Sequence, residues 1–304
     1  MANSGAKVGA TWRIGDITAT RIEESIGLSS VAPSEFLTNF DEAAFRSHLE
    51  WMVPTHYDPQ MDRLVTSIHS WLIRTPRHTI LLDTCSGNHK PRPWNERFSM
   101  LNTPYLERLA EAGVSPEDID IVLCTHLHTD HCGWNTQLKD GRWVPTFPNA
   151  RYLFSRKEND RWDPAVIGET VRAGLYNDSV LPVIESKQAL LLDDAPHQID
   201  DLLLVEPAPG HTIGHILLKA GKGEDQGVFC GDAIHHPVQV YEPGWNTKFC
   251  EDQAQAALTR RAMLEHCAEE NAVLFPIHFA QPYVTAILRR GDRFLPAFMP
   301  ANGS

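Results

Sequence analysis

Thr125-His126-Leu127-His128-Thr129-Asp130-His131 places four side chains able to bind a metal within six positions, with almost no bulk between them. In an extended backbone, side chains at i, i+2 and i+4 leave on one side. His126, His128 and Asp130 are therefore expected to converge while His131 faces away. Such a run suits two neighbouring metal ions better than one, with a pair of imidazoles aimed at the first and Asp-His at the second. Neutral imidazole and carboxylate suit zinc, and also iron, manganese or cobalt. A histidine-rich surface turn could carry the same letters. Here, however, the run follows Ile121-Val122-Leu123-Cys124, a continuous apolar stretch with the pattern of a central strand buried on both faces. Ligand sites at the carboxyl ends of central strands are usual in layered α/β folds.

Further along, an apolar strand or glycine turn is again followed by a residue of ligand type. Pro209-Gly210-His211-Thr212-Ile213-Gly214-His215 puts His211 after a glycine, and Phe229-Cys230-Gly231-Asp232 ends a strand on a carboxylate. Val273 to Ile277 is a buried strand with His278 at its end. His126, His128, His211, Asp130, His131, His278 and Asp232 together make seven ligands for two metals. Cys132 adjoins the cluster but reads as a packed thiol, and His56 and His69 read as loop or strand histidines.

The remaining chain reads as alternating strands and helices. Trp12 to Glu24 alternates like one half-buried strand, Asp41 to Trp51 is a helix opening on an Asp cap, and Leu64 to Arg74 with His78 to Asp83 forms a hairpin. Thr103 to Ala112 is a helix, residues 133–148 read as loop, and Arg151 to Phe154 is a strand. A polar helical insertion over 155–186 is expected to shape the substrate site. Short strands are expected at Ala189 to Leu192, Leu202 to Val205, His215 to Ala220 and Gly227 to Cys230. Glu251 to Asn271 is the longest helix, with Ala254, Ala257, Leu258, Arg261, Leu264 and Cys267 near helical spacing. At 304 residues the chain allows one large domain or two; we read 1–304 as a single domain with a core over about 12–298.

A net charge of −12 and no run of Lys and Arg disfavour nucleic acid and favour small, mostly uncharged substrates. Six cysteines without C-x-x-C pairing read as reduced thiols of a cytoplasmic protein. No stretch approaches the roughly 18 apolar residues of a membrane span, and the N-terminus lacks the apolar core of a signal peptide. A leader removed earlier would leave the same picture.

The T-H-L-H-T-D-H run, the P-G-H-T-x-G-H segment, the G-D segment and the late P-x-H resemble the metallo-β-lactamase superfamily in its dinuclear branch. The resemblance runs from about Trp12 to about Phe298 and implies an α/β, four-layer αββα sandwich. By the family pattern His126, His128 and His211 hold the first metal and Asp130, His131 and His278 the second, with Asp232 bridging. The GDAIHHPVQV segment and the chain length are most similar to methyl parathion hydrolase-like enzymes and N-acyl homoserine lactonase relatives. The lactonases are expected to carry a Tyr three residues after the bridging Asp; this chain has His235, which titrates near neutrality where Tyr does not.

The resemblance implies hydrolysis of a lactone, aryl ester or organophosphate-type substrate by a hydroxide shared between two divalent cations, zinc first and Mn, Co or Fe as alternatives. Asp130 or Asp232 would orient the nucleophile or pass on its proton, with His235 beside them. Trp71, Trp134, Trp245, Phe279 and His235 are the expected pocket wall. Alternative readings on the same fold are a mononuclear iron thiol or persulfide dioxygenase, a hydrolytic dehalogenase and a glyoxalase II-like thioesterase. Relatives of this kind are often homodimers.

Overall fold

A computed structural model of the chain describes residues 9–168 and 173–302. Among these, two large sheets stack face to face. The first runs in the order Thr11–Ile14, Ile17–Leu28, Arg63–Arg74, Thr79–Leu82, Ile121–Leu123, Arg151–Ser155, Ala189–Leu192. The second runs His197–Asp200, Leu203–Pro207, Ile216–Lys222, Asp225–Phe229, Val273–Phe275, Val284–Arg290, Arg293–Met299.

Side-chain alternation along the central strands sorts residues into layers. Ile80, Leu82, Ile121, Leu123 and Leu153 point between the sheets, where they meet Leu203, Val205, Leu218, Phe229 and Phe275. Their neighbours Leu81, Val122, Tyr152 and Phe154 point outward onto Tyr105, Leu109, Tyr176 and Val183 of the covering helices. On the far side, Leu217, Val228, Leu274 and Phe294 pack on Met263, Leu264 and Cys267 of the Gln253–Glu270 helix. The result is the αββα sandwich expected from the sequence. All six cysteines are buried and unpaired. Among the described residues no helix is long and apolar enough to cross a membrane.

Several elements differ from expectation. Trp12 to Glu24 is two strands, because the chain reverses at Gly15 with φ +56°. The stretch 133–148 contains a hairpin, Thr136–Lys139 with Arg142–Pro145, turned by left-handed Asp140 and Gly141. Part of the 155–186 insertion, 169–172, lies outside the described residues; the rest forms Arg156–Trp162, Pro164–Ile167, Ala173–Ser179 and Leu181–Glu185. The long helix buries Ala256, Arg260, Met263, Leu264 and Cys267, while Ala254, Leu258 and Arg261 face solvent. Apolar spacing alone misses this face because its most buried polar member is Arg260. That guanidinium donates to the carbonyls of Ala233, Pro243 and Trp245, which satisfies it without water.

Trp71, expected at the pocket, stands instead in the sandwich core. It is fully buried, donates from Nε1 to the Pro276 carbonyl at 3.1 Å, and meets Trp12 and Phe275 edge-on. Strand parity decides this: residue 71 shares its face with Ile73, not with Leu72. Trp71→Ala should cost about 3–5 kcal/mol of unfolding free energy, seen as a lower urea midpoint, with the site chemistry retained in the folded fraction.

His56 is buried and stacked on Phe298, with Nδ1 lacking a hydrogen-bond partner, and burial pushes its pKa down to about 4. A histidine kept neutral in this way contributes stability that is present above pH about 6.5 and is lost as pH falls through about 4. As pH falls over that window the native chain should lose up to about 3 kcal/mol of stability relative to His56→Phe in urea titrations. A pH-independent difference would contradict this assignment.

Candidate metal centre

Four turns deliver the expected ligands to one end of the sandwich. His126 to His131 follow Ile121–Leu123, Asp232 follows Asp225–Phe229, His278 follows Val273–Phe275, and His211 lies in the turn between Leu203–Pro207 and Ile216–Lys222. Because the chain turns immediately after the central strand, with the His131 amide donating to the His128 carbonyl at 3.1 Å, His131 does not face away. Its ring centroid is 4.1 Å from that of His126. Asp130 leaves the His126–His128 pair and joins His131 and His278.

The Asp232 carboxylate lies between two sets of imidazoles. Its Oδ2 is 3.1 Å from His211 Nε2 and 3.6 Å from His126 Nε2. Its Oδ1 is 3.2 Å from His131 Nε2 and 3.0 Å from His278 Nε2. His128 Nδ1 is 3.0 Å from His211 Nε2, and the His131 and His278 Nε2 atoms are 3.3 Å apart. Tetrahedral zinc at about 2.0–2.1 Å from each nitrogen sets ligand atoms about 3.3 Å apart. The buried His126 Nε2 has no hydrogen-bond partner. Imidazole nitrogens facing one another around a carboxylate, one of them orphaned, fit two divalent cations.

Supporting groups fix which nitrogen faces inward. His131 Nδ1 donates to Asp83 Oδ2 at 2.9 Å and His278 Nδ1 donates to the Ser67 carbonyl at 2.9 Å, so each presents Nε2. His211 Nδ1 lies 3.6 Å from Cys250 Sγ. Asp83 also accepts from the Thr125 amide at 2.7 Å and hydroxyl at 2.8 Å, and it holds a left-handed φ of +54°. Burial pushes the Asp83 carboxyl up, with His131 opposing. Burial acts upward on Asp232 too, but the imidazoles of His131, His235, His278 and His211 prevail and hold it well below the usual carboxylate range. Burial lowers His215 to about 3; its neutral Nε2 accepts from the Asp232 amide at 3.0 Å. Gly231 (φ +47°) makes this turn possible, since a Cβ there would lie 2.6 Å from Thr125 Oγ1 and 2.7 Å from His215 Nε2.

Asp83 and His215 were not among the expected residues. Asp83 follows the buried run Ile80 to Leu82 and so obeys the same pattern, a polar residue just past a strand end, that singled out Asp232.

A cavity of about 330 Å³ opens over the centre, lined by His128, Asp130, His211, Asp232, His235 and His278 at its floor. His235 Nε2 is 3.0 Å from Asp232 Oδ2, so the ring stands beside that carboxylate as expected. The apolar wall is Phe36, Ile68, Trp94, Phe98, Leu175 and Phe249, with Arg97 and Lys248 among the lining residues. None of the expected Trp71, Trp134, Trp245 and Phe279 lines it. Trp134 stacks on Tyr105 and donates from Nε1 to Glu24 at 2.8 Å. Trp245 packs behind Phe36 with Phe40 and Val238, and Phe279 belongs to the core under the long helix. The wall is drawn from scattered elements, Ile68 from the Arg63–Arg74 strand, Leu175 from the Ala173–Ser179 helix, and Phe36, residues 94–98 and Phe249 from short turns and helical pieces, so no single sequence period points at the centre.

One side of the wall rests on a buried ion cluster. Arg92 pairs with both Asp178 oxygens at 2.7 Å, and Lys90 approaches Asp178 Oδ1 at 3.4 Å while donating to Thr136 Oγ1 at 2.8 Å. Lys90 and Arg92 are fully buried, and burial lowers the Lys90 ammonium to about 8.

A model of the family described as the Metallo-beta-lactamase superfamily matches residues 63–278. N-acyl homoserine lactonase AiiB of Agrobacterium fabrum is 37% identical over 79 residues, 22% of this chain and 28% of that protein, and the Rhizobium rhizogenes protein of that name aligns to the same extent. The chain thus spans little more than a quarter of the length of these curated relatives. The hydrolase AbOPH, described as in the beta lactamase superfamily, superposes with a TM-score of 0.79 at 22% identity, covering 97% of this chain and 98% of that one. AidC, a dizinc quorum-quenching lactonase solved with the product N-hexnoyl-L-homoserine, gives 0.72 at 19% identity, with 97% of each chain covered. A probable metal-dependent hydrolase from Staphylococcus aureus gives 0.74 at 18% identity over 95% of this chain and 99% of that one. With the family match covering more than half the sequence and the sandwich shared end to end, this chain belongs to the metallo-beta-lactamase superfamily.

Proposed function

We propose that this chain is a dinuclear metallohydrolase acting on a small, mostly uncharged lactone, aryl ester or organophosphate-type substrate. The observation that carries the reading is the Asp232 carboxylate, with Oδ2 turned to His211 and His126 and Oδ1 to His131 and His278. His126, His128 and His211 would hold one cation, Asp130, His131 and His278 the other, and Asp232 both. Two divalent cations, zinc first and Mn, Co or Fe as alternatives, supply Lewis acidity toward a carbonyl or phosphoryl oxygen and lower the pKa of water. AidC, a dizinc lactonase of the same fold, supports the choice of zinc.

The chain's own groups do the rest. The Asp130 carboxylate lines the cavity, with Oδ2 3.8 Å from His278 Nε2, where it would orient the attacking water and take up its proton for delivery to the leaving group. His235 stacks on His278 and faces the cavity, where its ring would hydrogen-bond the substrate beside Asp232. Phe36, Ile68, Phe98 and Leu175 exclude water and accept the apolar part of the substrate. The site takes residues from both sheets, which supports reading 1–304 as one domain. The six unpaired thiols support a reducing, cytoplasmic setting, and the resemblance supports a homodimer.

Metal analysis of the purified protein should return about two zinc, cobalt or manganese ions per chain, with turnover on a panel of lactones, aryl esters and organophosphates. One iron per chain with oxygen uptake would overturn the hydrolase reading. Asp232→Asn should lower turnover by about 100-fold or more while leaving the circular dichroism spectrum unchanged. Full activity in that variant would remove Asp232 from its bridging place.

A further inference from the structure

We infer that Glu158 is a positioning residue for the first metal site, setting the spacing of the two loops that carry His126, His128 and His211. The inference rests on the dinuclear reading above but concerns a residue that touches neither metal nor substrate.

Glu158 is fully buried in the Arg156–Trp162 helix, which leaves the first sheet directly after Arg151–Ser155. Its Oε2 accepts the backbone amide of Leu127 at 3.1 Å, the residue between His126 and His128. Its Oε1 accepts the amide of Gly214 at 3.1 Å, in the turn that carries His211. Trp162 Nε1 donates to Oε2 at 3.1 Å, and the same indole meets the His128 ring edge-on at 5.7 Å. One carboxylate thus ties together two ligand loops that belong to different sheets, and through Trp162 it also buttresses one of the imidazoles.

Gly214 shows how closely the turn must approach this helix. A Cβ there would lie 2.6 Å from the Glu158 amide nitrogen and 2.8 Å from Ser155 Oγ, so no larger residue allows the contact. The second glycine of the P-G-H-T-x-G-H segment therefore serves Glu158 and not the ligand before it. A carboxylate suits the clamp because it only accepts. Three N–H groups converge on its two oxygens, whereas an amide would turn a donor toward one of them. The second-site ligands hang from other supports, His131 on Asp83 and His278 on the Ser67 carbonyl.

The test is stepwise zinc titration against a competing chelator, using the native chain, Glu158→Gln, and both forms in a His278→Ala background that keeps only the first site intact. Glu158→Gln should weaken one of two binding constants by about 10–100-fold, as loss of outer-shell partners does, and leave the other within about threefold. The same loss should appear in the His278→Ala background, and the visible spectrum of the cobalt-loaded protein should change with it. Unchanged constants and an unchanged cobalt spectrum would overturn the inference. So would equal weakening of both constants together with a lower melting temperature of the metal-free protein, because that marks a general structural role. If Glu158→Gln does not fold, Glu158→Asp, which keeps the charge but cannot span both amides, should show the same selective loss; native constants there overturn the proposal. A native chain that takes up fewer than two metals overturns the dinuclear reading itself, a result visible before any Glu158 variant is made.

Discussion

The burial of the Asp232 carboxylate is the constraint on which the rest of the site depends. Asp232 is 3% exposed, and its carboxylate stays ionised only because imidazoles stand around it on both sides. Gly231 makes the turn that puts the carboxylate there, His215 takes its backbone amide, and four ligand turns from two sheets must arrive within hydrogen-bonding reach. The αββα stack serves this requirement: strands 121–123, 225–229 and 273–275 all release their chains at the same end.

Three further buried carboxylates make that convergence reproducible. Glu24 accepts the Ser86 and Gly87 amides, Asp83 accepts the Thr125 amide, and Glu158 accepts those of Leu127 and Gly214. Irregular backbone cannot satisfy its own amides as a strand ladder does, so ordered turns need acceptors from elsewhere. Glu24 and Glu158 reach them from a strand and a helix, and Asp83 from the first residue past a strand. The protein's acidic composition is thus partly internal, besides giving a surface that repels polyanions.

The candidate ligands were legible in the sequence because a metal site would demand scarce side chains at strand ends, a pattern that needs no tertiary information. His126, His128, His211 and Asp232 could be named from spacing and family likeness, and the structure groups them. The direction of His131 was not legible, since the expectation assumed an extended run where the chain turns. The pocket wall was illegible for a different reason. An indole carries no mark of whether it faces a core or a cavity, and Trp71 and Trp134 obey strand parity and a buried hydrogen bond that only the fold reveals. Glu158 was hidden inside a polar helix, where a charged residue reads as solvated.

The Lys90–Arg92–Asp178 cluster makes the two sides of the cavity mechanically unequal. It ties the segment before Trp94 and Phe98 to the helix that carries Leu175, and separating those charges away from water would cost about 3–5 kcal/mol. The opposite side, around Phe36 and Phe249, is joined by the exposed Lys248–Glu35 pair, an interaction worth about 1 kcal/mol or less. Adaptation to a bulkier substrate therefore has an easy direction. Substitutions around Phe249 can reshape the entrance without disturbing a charged keystone, whereas changes near Leu175 must carry the whole cluster with them.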